Sequence, residues 1–168
     1  KVESLPLDDG GEIDDESYAL RTEFEWQGRR AVHYNVHLQS FKQPSGYGHN
    51  VSALSPKLWL MRVISSKEPI IARAHEARSL RAMIEKETLP VIVSGDFNST
   101  AHSWSFRQIS AGLTDAFKEA GSGWGATWHA RFPFARIDFV LAGPEWDVVS
   151  ADVPDVQLSD HRPLVARL

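Results

Sequence analysis

The chain of 168 residues has no cysteine. Disulfides and zinc–thiolate sites are therefore excluded, and the redox compartment cannot be read from cysteine usage. It has no apolar run long enough to cross a bilayer. No signal peptide is visible, and the first residue is Lys1 rather than Met. The expectation is a soluble domain, processed or excerpted from a longer exported or membrane-anchored protein, with the compartment left open. Dense positive charge is also lacking. The net charge is −4, and the first 28 residues hold nine acids against Lys1 and Arg21, leaving the remainder at +3. Acidity gathered at one end and a mildly basic body do not make the basic surface of a non-specific nucleic-acid binder. They leave room for a small or isolated phosphate substrate.

What is present is ordinary for a globular protein: 42% apolar and 24% charged residues. The length fits one domain over residues 1–168, with residues 1–17 read as an acidic loop or frayed terminus. Residues 18–26 alternate Tyr18, Leu20, Thr22, Phe24 and Trp26 with Ala19, Arg21, Glu23 and Glu25, which predicts a half-buried strand. Gln27-Gly28-Arg29 turns the chain into a hairpin partner over 31–38. Ser55-Pro56 opens an expected helix to about residue 65. Ile70, Ala74, Ala77, Leu80 and Ile84 form an apolar stripe on a longer helix over about 69–87. Short helices are expected over 103–111 and 114–120, and strands over 126–129, 136–141, 148–153 and 164–168. The six tryptophans are expected to be mostly core. This order predicts an α/β layered sandwich with a largely antiparallel sheet and helices on one flank.

Val91-Ile92-Val93-Ser94-Gly95-Asp96-Phe97-Asn98 organises the rest. A short β-branched run bounded by a turn signal suits a strand buried on both faces. Gly95 lets the backbone bend. Asp96 and Asn98 point the same way, with Phe97 opposite. A carboxylate and an amide beyond the carboxyl end of a buried strand can position a water, a metal or a phosphate. Gly-Asp-Phe-Asn alone reads equally well as a plain turn. Four further stretches share this character. Asn35 and His37 lie two apart on one strand face. Asp138 sits in the otherwise apolar Ile137–Val140 run and needs a partner, for which Arg136 is one candidate. Ser159-Asp160-His161-Arg162-Pro163 precedes the last strand, and a glycine loop leads into Thr127-Trp128. Singly, each is as easily a structural feature.

Together, Asn35-x-His37-Leu38, Gly95-Asp96-Phe97-Asn98, Arg136-Ile137-Asp138-Phe139 and Ser159-Asp160-His161-x-Pro163 resemble the endonuclease/exonuclease/phosphatase superfamily, with its deoxyribonuclease I-like fold. The resemblance implies hydrolysis of a phosphodiester or phosphomonoester by activated water, with Mg²⁺ or Mn²⁺ as cofactor. It implies Asp96 as the group that activates water and Asn98 as its orienter. His161 would contact the scissile phosphate, Asp138 would hold His161, and His37 would be a second phosphate-facing histidine. Asn35, Asn98 and His161 would bind substrate; Asp96, Asn98 and Asp160 would serve the metal; Arg73 would brace the site. Nucleic acid, phospholipid and small-molecule phosphoesters all remain open as substrates, and Gly123-x-Gly125-x-Thr127-Trp128, bacterial in style, does not decide among them.

Family members run to roughly 200–250 residues. Their early Asn and metal-binding Glu have no counterpart here, which makes the chain resemble the C-terminal two-thirds of a domain. Three expectations follow: weak or absent turnover, a His37 without its carboxylate partner, and an open sheet that invites self-association. The alternative is a catalytically silent binding module that keeps the fold.

Overall fold

The computed structural model describes residues 1–11, 17–40 and 67–168. The expected helix over 55–65 lies outside them. Among the described residues, eight strands and three helices follow in chain order. They are β1 (Val2–Leu7), β2 (Ser17–Trp26), β3 (Arg29–His37), α1 (Lys67–Ile84), β4 (Val91–Asp96) and α2 (Trp104–Ile109). Then come β5 (Thr114–Asp115), α3 (Ala116–Ala120), β6 (Asp138–Ala142), β7 (Ser150–Asp152) and β8 (Val165–Arg167). Six strands form one sheet in the order β1-β2-β3-β4-β6-β5, and β7 pairs with β8 in a second. Every pairing is antiparallel except β3 with β4. The sheet is thus mixed and largely antiparallel, as the sequence predicts.

One face of the large sheet carries the main core. Val32, Tyr34 and Val36 of β3, Val91 and Val93 of β4, and Phe139 and Leu141 of β6 join Ala77, Leu80 and Ile84 of α1 in a single buried cluster. Period-two alternation on the strands and 3.6-residue spacing on the helix bring these residues face to face. The buried stripe of α1 is rotated from the expected one: Ile70 is half exposed, whereas Ala72, Arg73 and Glu76 are buried.

Several expectations need correction. Val2–Leu7, assigned to an acidic loop, is a strand. Its register pairs Val2 with Thr22 and Leu7 with Ser17, and Leu5 and Leu7 reach the core. Pro6, which cannot donate to a ladder, is tolerated because β1 is the outermost strand of the sheet among the described residues. On β2 the polar side is the better covered one. Arg21 donates to both carboxylate oxygens of Glu87 at 2.6 and 3.0 Å, and Tyr34 Oη donates to Glu87 at 2.6 Å. These partners let Arg21 sit against the core, while Leu20 and Trp26 stay 42% and 61% exposed. No described tryptophan is buried; the aromatic core is Phe97, Phe106 and Phe139, with ring centroids 4.4–6.1 Å apart. Residues 114–120 divide into β5 and α3 because Asp115 caps the helix, accepting from Phe117 N and Lys118 N. Residues 126–129 make isolated bridges at Trp128 rather than a strand. No helix among the described residues is long and apolar enough to cross a membrane.

Candidate active site

The sheet register builds the site. β3 and β4 run parallel, so their carboxyl ends emerge together, with His37 beside Asp96. β6 is antiparallel to β4 and starts at that same end, with Asp138 beside Asp96. Three strands therefore set His37, Asp96 and Asp138 in one row, on the face opposite the α1 core. His161 joins from the segment before β8. Its Nδ1 lies 2.8 Å from Asp138 Oδ2, and its Nε2 lies 3.9 Å from Asp96 Oδ2. His37 Nε2 lies 3.7 Å from the same Asp96 oxygen. The first distance is a hydrogen bond; the other two are too long to be one. His37 thus approaches a carboxylate after all, although its side chain is 74% exposed.

Asp96 Oδ1 accepts from the Asn98 backbone N–H at 2.8 Å, and Asn98 Nδ2 donates to Leu38 O at 2.8 Å. The turn is tight enough to place Asn98 at φ 46°, a region in which Asn is tolerated. Phe97 is fully buried on the other side. Arg136, a candidate partner for Asp138, pairs instead with Asp115 through two 2.7 Å bonds and stacks 4.6 Å over the Phe139 ring. This leaves Asp138 to His161.

The segment 127–130, expected from the sequence to be largely strand and singled out at Thr127-Trp128 without a role, ties both members of this pair in place. Thr127 is fully buried; its hydroxyl accepts from Ile137 N and Asp138 N at 3.2 and 3.3 Å. Its carbonyl accepts from Arg162 N at 2.7 Å, and Ala130 N donates to Asp160 O at 2.7 Å. Trp128 bridges His161. A cavity of about 460 Å³, lined in part by Ser94, Asp138, Leu158, His161 and Pro163, opens beside the pair.

Two expected site residues stand apart. Asn35 is exposed, two positions before His37 on the same strand face. Asp160 is exposed, and its carboxylate accepts from Ser159 Oγ at 3.1 Å. Residues 158–160 form a bend and His161 alone bridges Trp128, so His161 is held at the site while Asp160 stays at the surface. Arg73 is buried and donates from Nη1 to Gln39 O at 2.7 Å.

The electrostatics follow from this packing. Burial raises the Asp96 pKa above the ordinary carboxylate value, and the nearby Asp138 charge adds to it; the Asn98 N–H and the two imidazoles oppose the rise. For His161, burial pulls the pKa down. The Asp138 hydrogen bond and the charges of Asp138, Asp96 and Asp160 outweigh it, so the net shift is upward. The imidazolium therefore persists to higher pH than in a free histidine. Its contribution to stability is complete below about pH 6.5 and fades as pH rises through the folded-state pKa. In the metal-free protein, an NMR titration of His161 is expected to show a midpoint above 6.5. Asp138→Asn is expected to lower it, and an unmoved midpoint would contradict the pairing.

Asp96, Asp138 and His161 each offer an atom within 4.8 Å of the others. The donor chemistry fits a hard divalent cation in part. Asp138 Oδ2 is committed to His161, and Asp96 Oδ2 faces the hollow between the two imidazoles.

The model of the Endonuclease/Exonuclease/phosphatase family matches residues 12–161. No curated protein matches the chain. Solved structures share its fold. A mannosyl-6-phosphatase from Bacteroides thetaiotaomicron is 16% identical with a TM-score of 0.72, covering 99% of this chain and 65% of its own. The human Nocturnin catalytic domain with bound sulfate is 18% identical at 0.68, covering 99% and 57%. A beta toxin variant from Staphylococcus aureus with bound magnesium ions is 15% identical at 0.63, covering 91% and 58%. In each case the chain spans less than two thirds of the other structure's length. The fold is accordingly the deoxyribonuclease I-like one, and with the family model matching most of its length the chain belongs to the endonuclease/exonuclease/phosphatase family.

Proposed function

We propose that this domain hydrolyses a phosphoester by attack of water, with the row His37, Asp96, Asp138 and His161 as its reacting centre. The observation that carries the reading is the placement of Asp96 Oδ2 between two imidazole nitrogens at 3.7 and 3.9 Å. An oxygen atom held to one side of these atoms, rather than between them, can touch the carboxylate and an imidazole together. A water held by Asp96 Oδ2 loses its proton to that carboxylate as its oxygen bonds to phosphorus, the P–O bond to the leaving group breaks, and the departing oxygen takes a proton from solvent. The upward shift of Asp96 makes it a better base than an exposed aspartate. His161 keeps Nδ1–H on Asp138 and presents Nε2–H to a phosphoryl oxygen, where negative charge grows in the transition state. His37 faces the same anion from the other side. Asn98 fixes the Asp96 carboxylate through its backbone N–H and supports the pocket through its amide.

Asp96, with Asn98 at its side, would hold Mg²⁺ or Mn²⁺; Asp160 lies outside the cluster and would need to swing inward to take part. When bound, such an ion supplies Lewis acidity at a phosphoryl oxygen. The magnesium in the beta toxin structure and the sulfate in Nocturnin are the kinds of ligand this reading calls for. The net charge of −4 and the acidic leading segment favour a small or isolated phosphoester over a polyanion. The test is turnover of a panel of phosphodiesters and phosphomonoesters with Mg²⁺ and Mn²⁺. Hydrolysis is expected to vanish on chelation and return when the ion is restored. Turnover by this chain alone is expected to be weak; phosphoester binding without turnover under every condition, in this chain and in any longer form of it alike, would instead support a silent binding module.

A further inference from the structure

Glu76 is fully buried on α1, and its Oε1 has no hydrogen-bond partner among the described residues. A half-satisfied buried carboxylate is costly, and an apolar residue of similar volume would serve the core better. What the carboxylate does instead is hold one peptide. Its Oε2 accepts from Gln39 N at 2.9 Å, while Arg73, one helical turn earlier on the same buried face, donates to Gln39 O at 2.7 Å. The two side chains clamp both backbone groups of Gln39. One residue earlier, Leu38 N donates to Asp96 O at 2.9 Å, and Leu38 O accepts from Asn98 Nδ2 at 2.8 Å. The chain leaving β3 is thus fixed from two sides, by the α1 clamp and by the Asp96–Asn98 turn.

We propose that Glu76, with Arg73, is a positioning residue that sets His37 and the Asn98 amide by clamping the Gln39 peptide. The proposal rests on the hydrolytic reading of the site. Without the clamp the end of β3 loses these hydrogen bonds to the helix and, among the described residues, keeps only its apolar packing against it. Leu38 O then loses its fixed place as acceptor for Asn98, and His37 loses its bearing on Asp96.

The test compares Glu76→Met, which keeps the volume and removes the acceptor, with Glu76→Gln, which keeps the acceptor. With a generic phosphodiester and Mg²⁺, Glu76→Met is expected to lower kcat about 10- to 100-fold. KM should stay within about twofold, since the clamp places reacting groups rather than binding substrate. Glu76→Gln should restore kcat to within about threefold. The side-chain amide signals of Asn98 should shift or broaden in Glu76→Met and return in Glu76→Gln, which a merely structural role would not produce. Should Glu76→Met not fold, Glu76→Asp, with its shorter reach, takes its place with the same expectations. Wild-type kcat with an unmoved Asn98 amide would overturn the clamp and leave the hydrolase reading standing. A moved Asn98 amide with no hydrolysis in any variant, wild type included, would keep the clamp and overturn that reading.

Discussion

Asp96→Asn is expected to lower kcat/KM for a phosphodiester by about 10³- to 10⁴-fold while leaving the fold as stable as before. The two halves of that statement come from one geometry. Asparagine keeps an oxygen to accept the Asn98 N–H, so the turn that ends β4 survives. It loses the basic oxygen that faces both imidazoles. Stability should not fall, because burial and the Asp138 charge already work against the ionised form of Asp96. A group whose folded-state pKa is raised withdraws stability as pH climbs through that pKa, so a neutral isostere removes a cost near neutrality. Melting at pH 7 should therefore match or exceed wild type. His161→Gln is expected to be of similar severity, and the double variant little worse than either single one, since groups that act as one unit do not add. Initial rates and a melting curve on the same preparation decide the matter. More than about a tenth of wild-type rate in Asp96→Asn would remove Asp96 from the chemistry.

The site was legible in the sequence where residues two apart on one strand share a face. Asp96 and Asn98 could be set in one turn, and His37 on the same strand face as Asn35, from alternation alone. Their mutual approach needs the register of three strands, which no local pattern states. The parallel pairing of β3 with β4 aligns His37 with Asp96, and the antiparallel pairing of β6 aligns Asp138 with both. Asp160 shows the opposite failure. It neighbours His161 in the chain but is exposed, because it ends a bend in which Ser159 Oγ donates to its carboxylate and the bridge to Trp128 starts only at His161. Thr127-Trp128 stood out as the end of a glycine loop, but the role of the Thr127 hydroxyl, accepting two backbone N–H groups, is set by packing that no local pattern states. Arg21 misled in a different way. Its alternation with aromatic residues implied a solvent face, yet Glu87 and Tyr34, far along the chain, turn it inward. β1 was hidden by the acids and glycines that follow it and by Pro6, which only an edge strand accommodates.

Gly95→Ala is expected to damage fold and site together, and by more than most single-methyl additions. Gly95 has φ +137°, and a Cβ there would lie 1.9 Å from Val36 O, with the Val36 carbonyl carbon at 2.9 Å. Val36 is its register partner in the parallel β3–β4 pair, so the obstacle is backbone and cannot rotate away. Backbone strain at such a φ costs about 1–3 kcal/mol, and overpacking a closed interior about the same again. A loss of about 4 kcal/mol corresponds to a fall in Tm of about 8–16 °C for a chain of this size. Relief by parting β3 from β4 would carry Asp96 away from His37, because the two are paired one position beyond the clash. Activity of the folded fraction, measured well below the new Tm, should therefore fall as well, whereas a purely structural lesion would leave it intact. A Tm within about 3 °C of wild type would show that β3 and β4 are not in contact at Gly95. The parallel pairing that brings His37 to Asp96 would then lose its support.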